Sequence, residues 1–315
     1  MAKATSSTES MNYVVRGASV NRAALIAARL TARQLRLRQQ RRHVARQTGN
    51  HPAPFKGRGL SFQQLRAYQG GDEIRHIDWR VTARTTKPHT RVFEEERERP
   101  IVICLDQRRP MAFGSRHCFK SVMACHAAAL LAWNGLDSND RVGGLIFSDD
   151  RHNEFRPKRS SRAVLHLLNS ACEYSERLLQ APAEDKQQAL SSALEELRRI
   201  TRPGSSVFIL SDFHDYDDEA HKQLLLLSRH NDIVAVGIND PLELRLPLQG
   251  ALPLSDGQQR SVINIDQRLQ QHYRDHIAQA QQTLQQQLRQ LGVVFLPLHT
   301  DDDLLDILSR EIRLT

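Results

Sequence analysis

Five apolar runs rich in β-branched residues punctuate the second two thirds of this chain: IVICLD to Asp106, RVGGLIFSD to Asp149, SVFILSD to Asp212, DIVAVGIND to Asp240 and GVVFLPLHTD to Asp301. Most are apolar at nearly every position instead of alternating, so both faces of the strands they form must be covered. Amphipathic segments separate them, and the spacing predicts helices over 116–136, 160–176, 186–200, 217–229 and 266–291. In the last of these Leu269, Tyr273, Ile277, Ala280, Leu284, Leu288 and Leu291 share one face. Strand and helix in alternation predict an α/β fold with an open, mainly parallel sheet and helices on both faces. A β-hairpin insertion is predicted near 247–265, turning at Ser255, Asp256 and Gly257, and TRVFEEERER before Pro100 reads as an extended edge element.

The chain has 315 residues, 40% hydrophobic and 25% charged, an ordinary composition for a globular protein. Its longest apolar stretch, Ala124 to Trp133, is broken by His126 and falls far short of the ~20 residues of a membrane span. The N-terminus lacks the basic start and apolar core of a secretory leader, which predicts a cytoplasmic protein. Cys104, Cys118, Cys125 and Cys172 have neither CxxC spacing nor a histidine at ligand distance, so they are expected to be buried free thiols.

Charge is uneven along the chain. Residues 1–60 hold 12 Lys/Arg against Glu9 alone, whereas the remainder holds 32 basic and 35 acidic residues. Residues 1–19 read as a flexible tail. Residues 20–48 read as a basic helical arm capped by Ser19 or Asn21, with Leu30, Leu37 and Val44 on a narrow stripe and Arg33, Arg36, Arg38, Arg41, Arg42 and Arg46 around it. So thin a stripe predicts an arm that can be removed without loss of the fold. Its charge suits an acidic protein, an anionic membrane surface such as the inner membrane's periphery, or a polyanion. With almost no aromatic residues interleaved, no specific nucleic-acid contact is expected.

Between arm and first strand, residues 55–100 carry the pattern LRxYxxGDxxRxIDWxxxAR, from Leu65 to Arg84. Arg66, Tyr68, Asp72, Arg75, Asp78, Trp79 and Arg84 are its informative residues. Buried charge must be paired, so Asp72 and Asp78 are expected to pair with neighbouring arginines, with Trp79 as the apolar anchor. A ligand role for the exposed charges is the weaker reading.

This pattern, followed by the strand ending at Asp106, resembles the signature of the bacterial domain-of-unknown-function family 58. The resemblance covers about residues 55–313. It implies an irregular/β signature subdomain and, over 101–315, a domain similar to von Willebrand factor A. It further implies a non-catalytic adaptor that works with a MoxR-type AAA+ ATPase, and with other von Willebrand factor A-domain proteins, in the assembly or maturation of complexes.

Such domains hold a divalent cation with a DxSxS loop after the first strand, a threonine from a later loop and an aspartate after a further strand. Here the loop is Asp106-Gln107-Arg108-Arg109-Pro110, so Arg108 and Pro110 stand at the serine positions. PAEDKQQAL, near the threonine position, contains no threonine, and Asp212 matches the last aspartate. Mg²⁺ demands near-octahedral oxygen coordination, so this degenerate site is expected to hold no metal. Either Arg108 or Arg109 neutralises Asp106 and Asp212, or both arginines face solvent. Asp149, Asp150, Asp240 and Asp301 read as turn and capping residues. His214 stands in an acidic run with no nucleophile motif beside it, and no phosphate-binding loop, nucleophile elbow or zinc-protease motif is present. The reading is therefore of a non-enzyme with no cofactor. A metal-dependent binding or hydrolytic site on the aspartate rim is the rival.

Overall fold

The computed structural model describes residues 13–35, 60–70, 74–85, 87–95, 99–180, 188–247, 250–255 and 260–311. Contacts divide the chain into two units: Arg41–Glu98, and a larger unit of Met1–Gln40 with Arg99–Thr315.

In the smaller unit, β1 (Leu60–Ala67) pairs antiparallel with β2 (His89–Glu95), with a bulge between Phe62 and Gln64. The short helix α2 (Trp79–Thr85) lies between them in sequence.

The larger unit opens with α1 (Arg22–Ala32), whose N-cap is Asn21. A six-stranded sheet follows. Its strands are β3 (Ile101–Asp106), β4 (Val142–Phe147), β5 (His152–Lys158), β6 (Ser206–Ser211), β7 (Asp232–Asn239) and β10 (Val294–His299). The helices are α3 (Lys120–Asp137), α4 (Ser161–Gln180), α5 (Leu190–Ile200), α6 (Asp218–Ser228), the single turn α7 (Pro241–Leu244), α8 (Gln267–Gln290) and α9 (Leu304–Glu311). β8 (Gly250–Ser255) and β9 (Arg260–Ile265) form the expected hairpin ahead of α8. The spatial order is β10-β7-β6-β3-β4-β5. The five strands legible from their apolar runs are mutually parallel, and only β5 runs antiparallel. β5 escaped the sequence reading because HNEFRPK is charged and mostly exposed, as an edge strand should be.

Alternation along β3 divides the core. Ile101, Ile103 and Leu105 join a cluster with α1, α3, α4 and α9, while Val102 and Cys104 face a second cluster with α5, α6 and α8. The apolar stretch read at 124–133 lies in α3, where Lys120 through Gly135 are all buried. Such a helix, apolar all round, needs cover away from the sheet, and α1 supplies part of it.

The N-terminal expectation needs correction. Residues 13–19 are no loose tail: Gly17 N–H donates to His117 O at 2.9 Å, Phe119 N–H donates to Gly17 O at 3.2 Å, and Val15 is buried. Nor does α1 present only a thin leucine stripe. Leu25, Ala28, Ala32 and Leu35 are buried, whereas Leu30, assigned to the apolar stripe, is 69% exposed. The true stripe recurs at three- and four-residue spacing through alanines, which a seven-residue leucine count overlooks. Trp133 Nε1 donates to Leu25 O at 2.9 Å, and Asn134 Nδ2 donates to the carbonyls of Ala32 and Leu35 at 3.0 and 2.6 Å. α3 thus bonds backbone carbonyls within α1 and just past its end.

Candidate functional site

The sheet's order reverses beside β3, and open α/β sheets hold ligands in the crevice at the carboxyl ends of strands flanking such a switch. The last residue of β3 is Asp106 and the residue after β6 is Asp212, so the two aspartates meet at this rim. Each carries a buried cation of the protein's own.

Asp106 is fully buried. It accepts from Ser211 Oγ at 2.7 Å, from the Arg108 backbone N–H at 3.0 Å, and from Arg108 Nε and Nη2 at 3.0 and 2.8 Å. The same guanidinium turns its far edge to Asp215, with Nη1 at 2.6 Å and Nη2 at 3.0 Å, and Nη1 also donates to Gln188 O at 3.0 Å. All three nitrogens are therefore engaged in a side chain only 2% exposed, stacked 5.2 Å from the Phe147 ring centre. Burial alone would lower the Arg108 pKa, but Asp106 and Asp215 more than offset it and hold it above its ordinary value. Asp215 also accepts the backbone N–H of Leu190 at 2.9 Å, which fixes the start of α5.

Lys120 opens α3 and is equally buried. Its Nζ donates to Asp212 Oδ2 at 2.9 Å and to Glu243 Oε1 at 2.6 Å. Burial disfavours its charge, yet the two carboxylates outweigh that and raise its pKa. Glu243 in turn closes the capping box of α7 with Asp240. His214 bridges the two clusters, with Nδ1 2.9 Å from Asp212 Oδ1 and 3.5 Å from Asp215 Oδ1. Its bond to Asp212 raises its pKa. Burial pushes the Asp212 carboxyl up, but His214 and Lys120 prevail and hold it well below the usual range.

Arg108 thus neutralises Asp106, as one of the two readings required, but Asp212 belongs to Lys120. Lys120 was missed because it stands ten residues beyond the degenerate loop's end in no motif. Its only signal is a lysine at the head of an otherwise apolar helix. Arg109 engages the rim through its backbone, donating to Asp149 Oδ2 at 2.9 Å. Asp240 accepts from Ser115 Oγ, Thr300 Oγ1 and the Leu242 N–H, and is a capping residue.

These residues do not fit a divalent cation. Arg108 and Pro110 replace two oxygen ligands, and an ammonium and a guanidinium already bond the two aspartates that remain. Ser211 Oγ, also at the rim, donates to Asp106 and accepts the Phe213 N–H.

In the smaller unit Asp78 is buried, and its Oδ1 accepts the backbone N–H groups of Arg80 and Val81 at 3.0 and 3.2 Å. It caps α2, a role that three-residue spacing could have suggested. Trp79, expected as an anchor, is 66% exposed at the first position of α2. Tyr68 N–H donates to Pro88 O and Arg66 Nη1 to Ala67 O. Arg75 and Arg84 are exposed, and Asp72 lies outside the described residues. Of the arm's arginines, Arg33 shares Asp137 with Arg29 at 3.3 and 3.2 Å, while Arg36, Arg38, Arg41, Arg42 and Arg46 lie outside the described residues.

Residues 64–287 match the family described as Protein of unknown function DUF58. An uncharacterized protein of Mycobacterium bovis and another of Mycobacterium tuberculosis are each 29% identical over 280 residues, covering 88% of this chain and 86% of theirs. Among solved structures, the conserved hypothetical protein BatB from Bacteroides thetaiotaomicron gives a TM-score of 0.41 at 15% identity, covering 69% of this chain and 98% of that one. A von Willebrand factor type A protein from Catenulispora acidiphila gives 0.36 at 12%, covering 71% and 44%. The family match spans more than two thirds of the sequence and includes the whole Leu65–Arg84 pattern together with the rim aspartates; the chain belongs to the DUF58 family.

Proposed function

We propose that this protein is a non-catalytic interaction module that works beside a MoxR-type AAA+ ATPase and engages its partner without a bridging metal ion. One observation carries the reading. The crevice at the sheet's switch point, where such folds bind their ligands, is closed by Arg108 and Lys120 on the two surviving aspartates. What is left for a partner is the surface of a preformed, charge-paired rim. Its outer members Asp215, Glu243 and His214 are 28%, 31% and 40% exposed. Among the described residues no helix is long and apolar enough to cross a membrane, and contact with the inner membrane's periphery through the basic arm is compatible with this role.

The test is titration of the purified protein with its cognate nucleotide-free ATPase, once in excess chelator and once in millimolar Mg²⁺. The same affinity in both supports the reading. Binding that requires the divalent ion, or no binding under either condition, refutes it.

A further inference from the structure

Beside the rim, the turn between β4 and β5 and the α4 helix enclose a cavity of about 380 Å³. Eight buried side-chain N or O atoms among the described residues find no hydrogen-bond partner, and four belong to residues lining this cavity: Gln107 Oε1, Asp149 Oδ1, Arg151 Nε and Tyr174 OH. Native proteins leave few such atoms, so four on residues that line one cavity call for partners that water or a ligand must supply. Gln107 is fully buried and Tyr174 only 2% exposed. The Gln107 amide has no freedom to turn, because its Nε2 donates to the carbonyls of Asp106 and Ser121, which leaves Oε1 as an acceptor in need of a donor. The Arg151 guanidinium is held 4.5 Å over the Tyr174 ring. Arg109, also lining the cavity, commits its backbone N–H and carbonyl but no guanidinium N–H among the described residues.

The unmet groups are of two kinds. Arg151 Nε, the Tyr174 hydroxyl and the Arg109 guanidinium offer donors and positive charge, which suits a carboxylate. Gln107 Oε1 and Asp149 Oδ1 require N–H donors. A free phosphate, like a free carboxylate, has no N–H donor to offset the charge of Asp149. A peptide carrying an acidic side chain brings both, a carboxylate for the arginines and backbone amides for the two acceptors. We infer that this cavity binds an acidic residue, with its flanking main chain, on a partner polypeptide. The inference rests on the interaction-module reading and names what the partner presents.

Two substitutions separate binding from structure. Tyr174→Phe removes an oxygen with no partner, so it leaves the fold as stable as before or more so, and Arg151→Met deletes the donor while keeping the stem over the ring. The probes are acetyl-Gly-Glu-Gly-Glu-Gly-amide, its Gln counterpart, free glutamate and sodium phosphate, followed by the side-chain amide NMR signals of Gln107. The expected result is a saturable shift with the Glu peptide, at least tenfold weaker with the Gln peptide and the other two probes, and weakened at least tenfold by either substitution. No shift with the Glu peptide, an equal response to phosphate, or unchanged binding in Tyr174→Phe overturns the proposal.

Cognate-ATPase titrations of the same variants keep the two readings apart. Peptide binding without ATPase binding sinks the module reading alone. ATPase binding that both variants retain in full, with no peptide shift, sinks the cavity alone.

Discussion

Replacing Arg108 by Met tests whether the rim is held by an internal ion pair. The substitution keeps an unbranched stem against Phe147 but deletes the contacts to Asp106, Asp215 and Gln188 O. Asp215 is 28% exposed and can recover solvation, whereas Asp106 is sealed, keeping only Ser211 Oγ and one backbone N–H. Removing one member of a buried pair costs about 3–5 kcal/mol, because the remaining charge is left uncompensated. Most of that cost therefore sits on Asp106, so Asp106→Asn added to Arg108→Met should restore a large part of it. The assay is urea unfolding followed by tryptophan fluorescence in a Trp79→Phe background, so that buried Trp133 alone reports on the larger unit. With a slope of about 3 kcal/mol per molar urea, the single variant's midpoint should fall by about 1 M or more. A loss below about 1 kcal/mol, or a double variant no more stable than the single one, would refute the argument.

Calorimetric titration with Mg²⁺ and Mn²⁺ should give no stoichiometric heat; a micromolar site abolished by Asp106→Ala would reverse the conclusion about the rim. Asp78→Ala should cost the smaller unit at least about 1 kcal/mol through the lost cap, read as a lower urea midpoint; an unchanged midpoint would show that the cap does not hold α2. Deleting residues 1–35 should yield an aggregating protein, since Trp133 and Asn134 lose their acceptors and Leu25, Ala28 and Ala32 no longer cover α3; a soluble truncation with native circular dichroism would show α1 to be dispensable. His126, its Nδ1 2.8 Å from Tyr13 OH, has its pKa lowered to about 4 by burial. A depressed histidine binds fewer protons folded than unfolded, so its contribution is full above about pH 6.5 and is lost as pH falls towards 4. His214, whose pKa is raised, has the opposite sign: its contribution is present below about pH 6.5 and is lost as pH rises through its folded value. Urea midpoints measured across pH 4–8 should lose the acid-side slope in His126→Gln and the alkaline-side slope in His214→Gln. If both slopes survive both substitutions, the titrations belong to other groups.

The parallel strands were legible because burial on both faces writes itself as unbroken apolar runs, and β5 was not because an edge strand is written in charge. Asp106, Arg108 and Asp212 could be placed because a motif fixed where the sheet would put them. Lys120 and Asp215 could not, since their meeting depends on how α3 and the loop after β6 approach in space, which no spacing encodes. Likewise the alanine stripe of α1 carries little hydropathy, and its burial follows from the need to cover α3.

The attachment of α1 to α3 has a bearing on how the chain is made. Leu25 and its partner Trp133 are 108 positions apart, and the Arg41–Glu98 unit is translated in between. At about 5–20 residues per second, α1 leaves the ribosome roughly 5–20 s before the helix it must cover exists. A helix of 11 residues is marginal alone in water, so through that interval its buried face has nothing native to bind. The smaller unit, with its strands close in sequence, is free to fold first, and the nascent N-terminus must be kept from other hydrophobic surfaces until residue 134 has emerged.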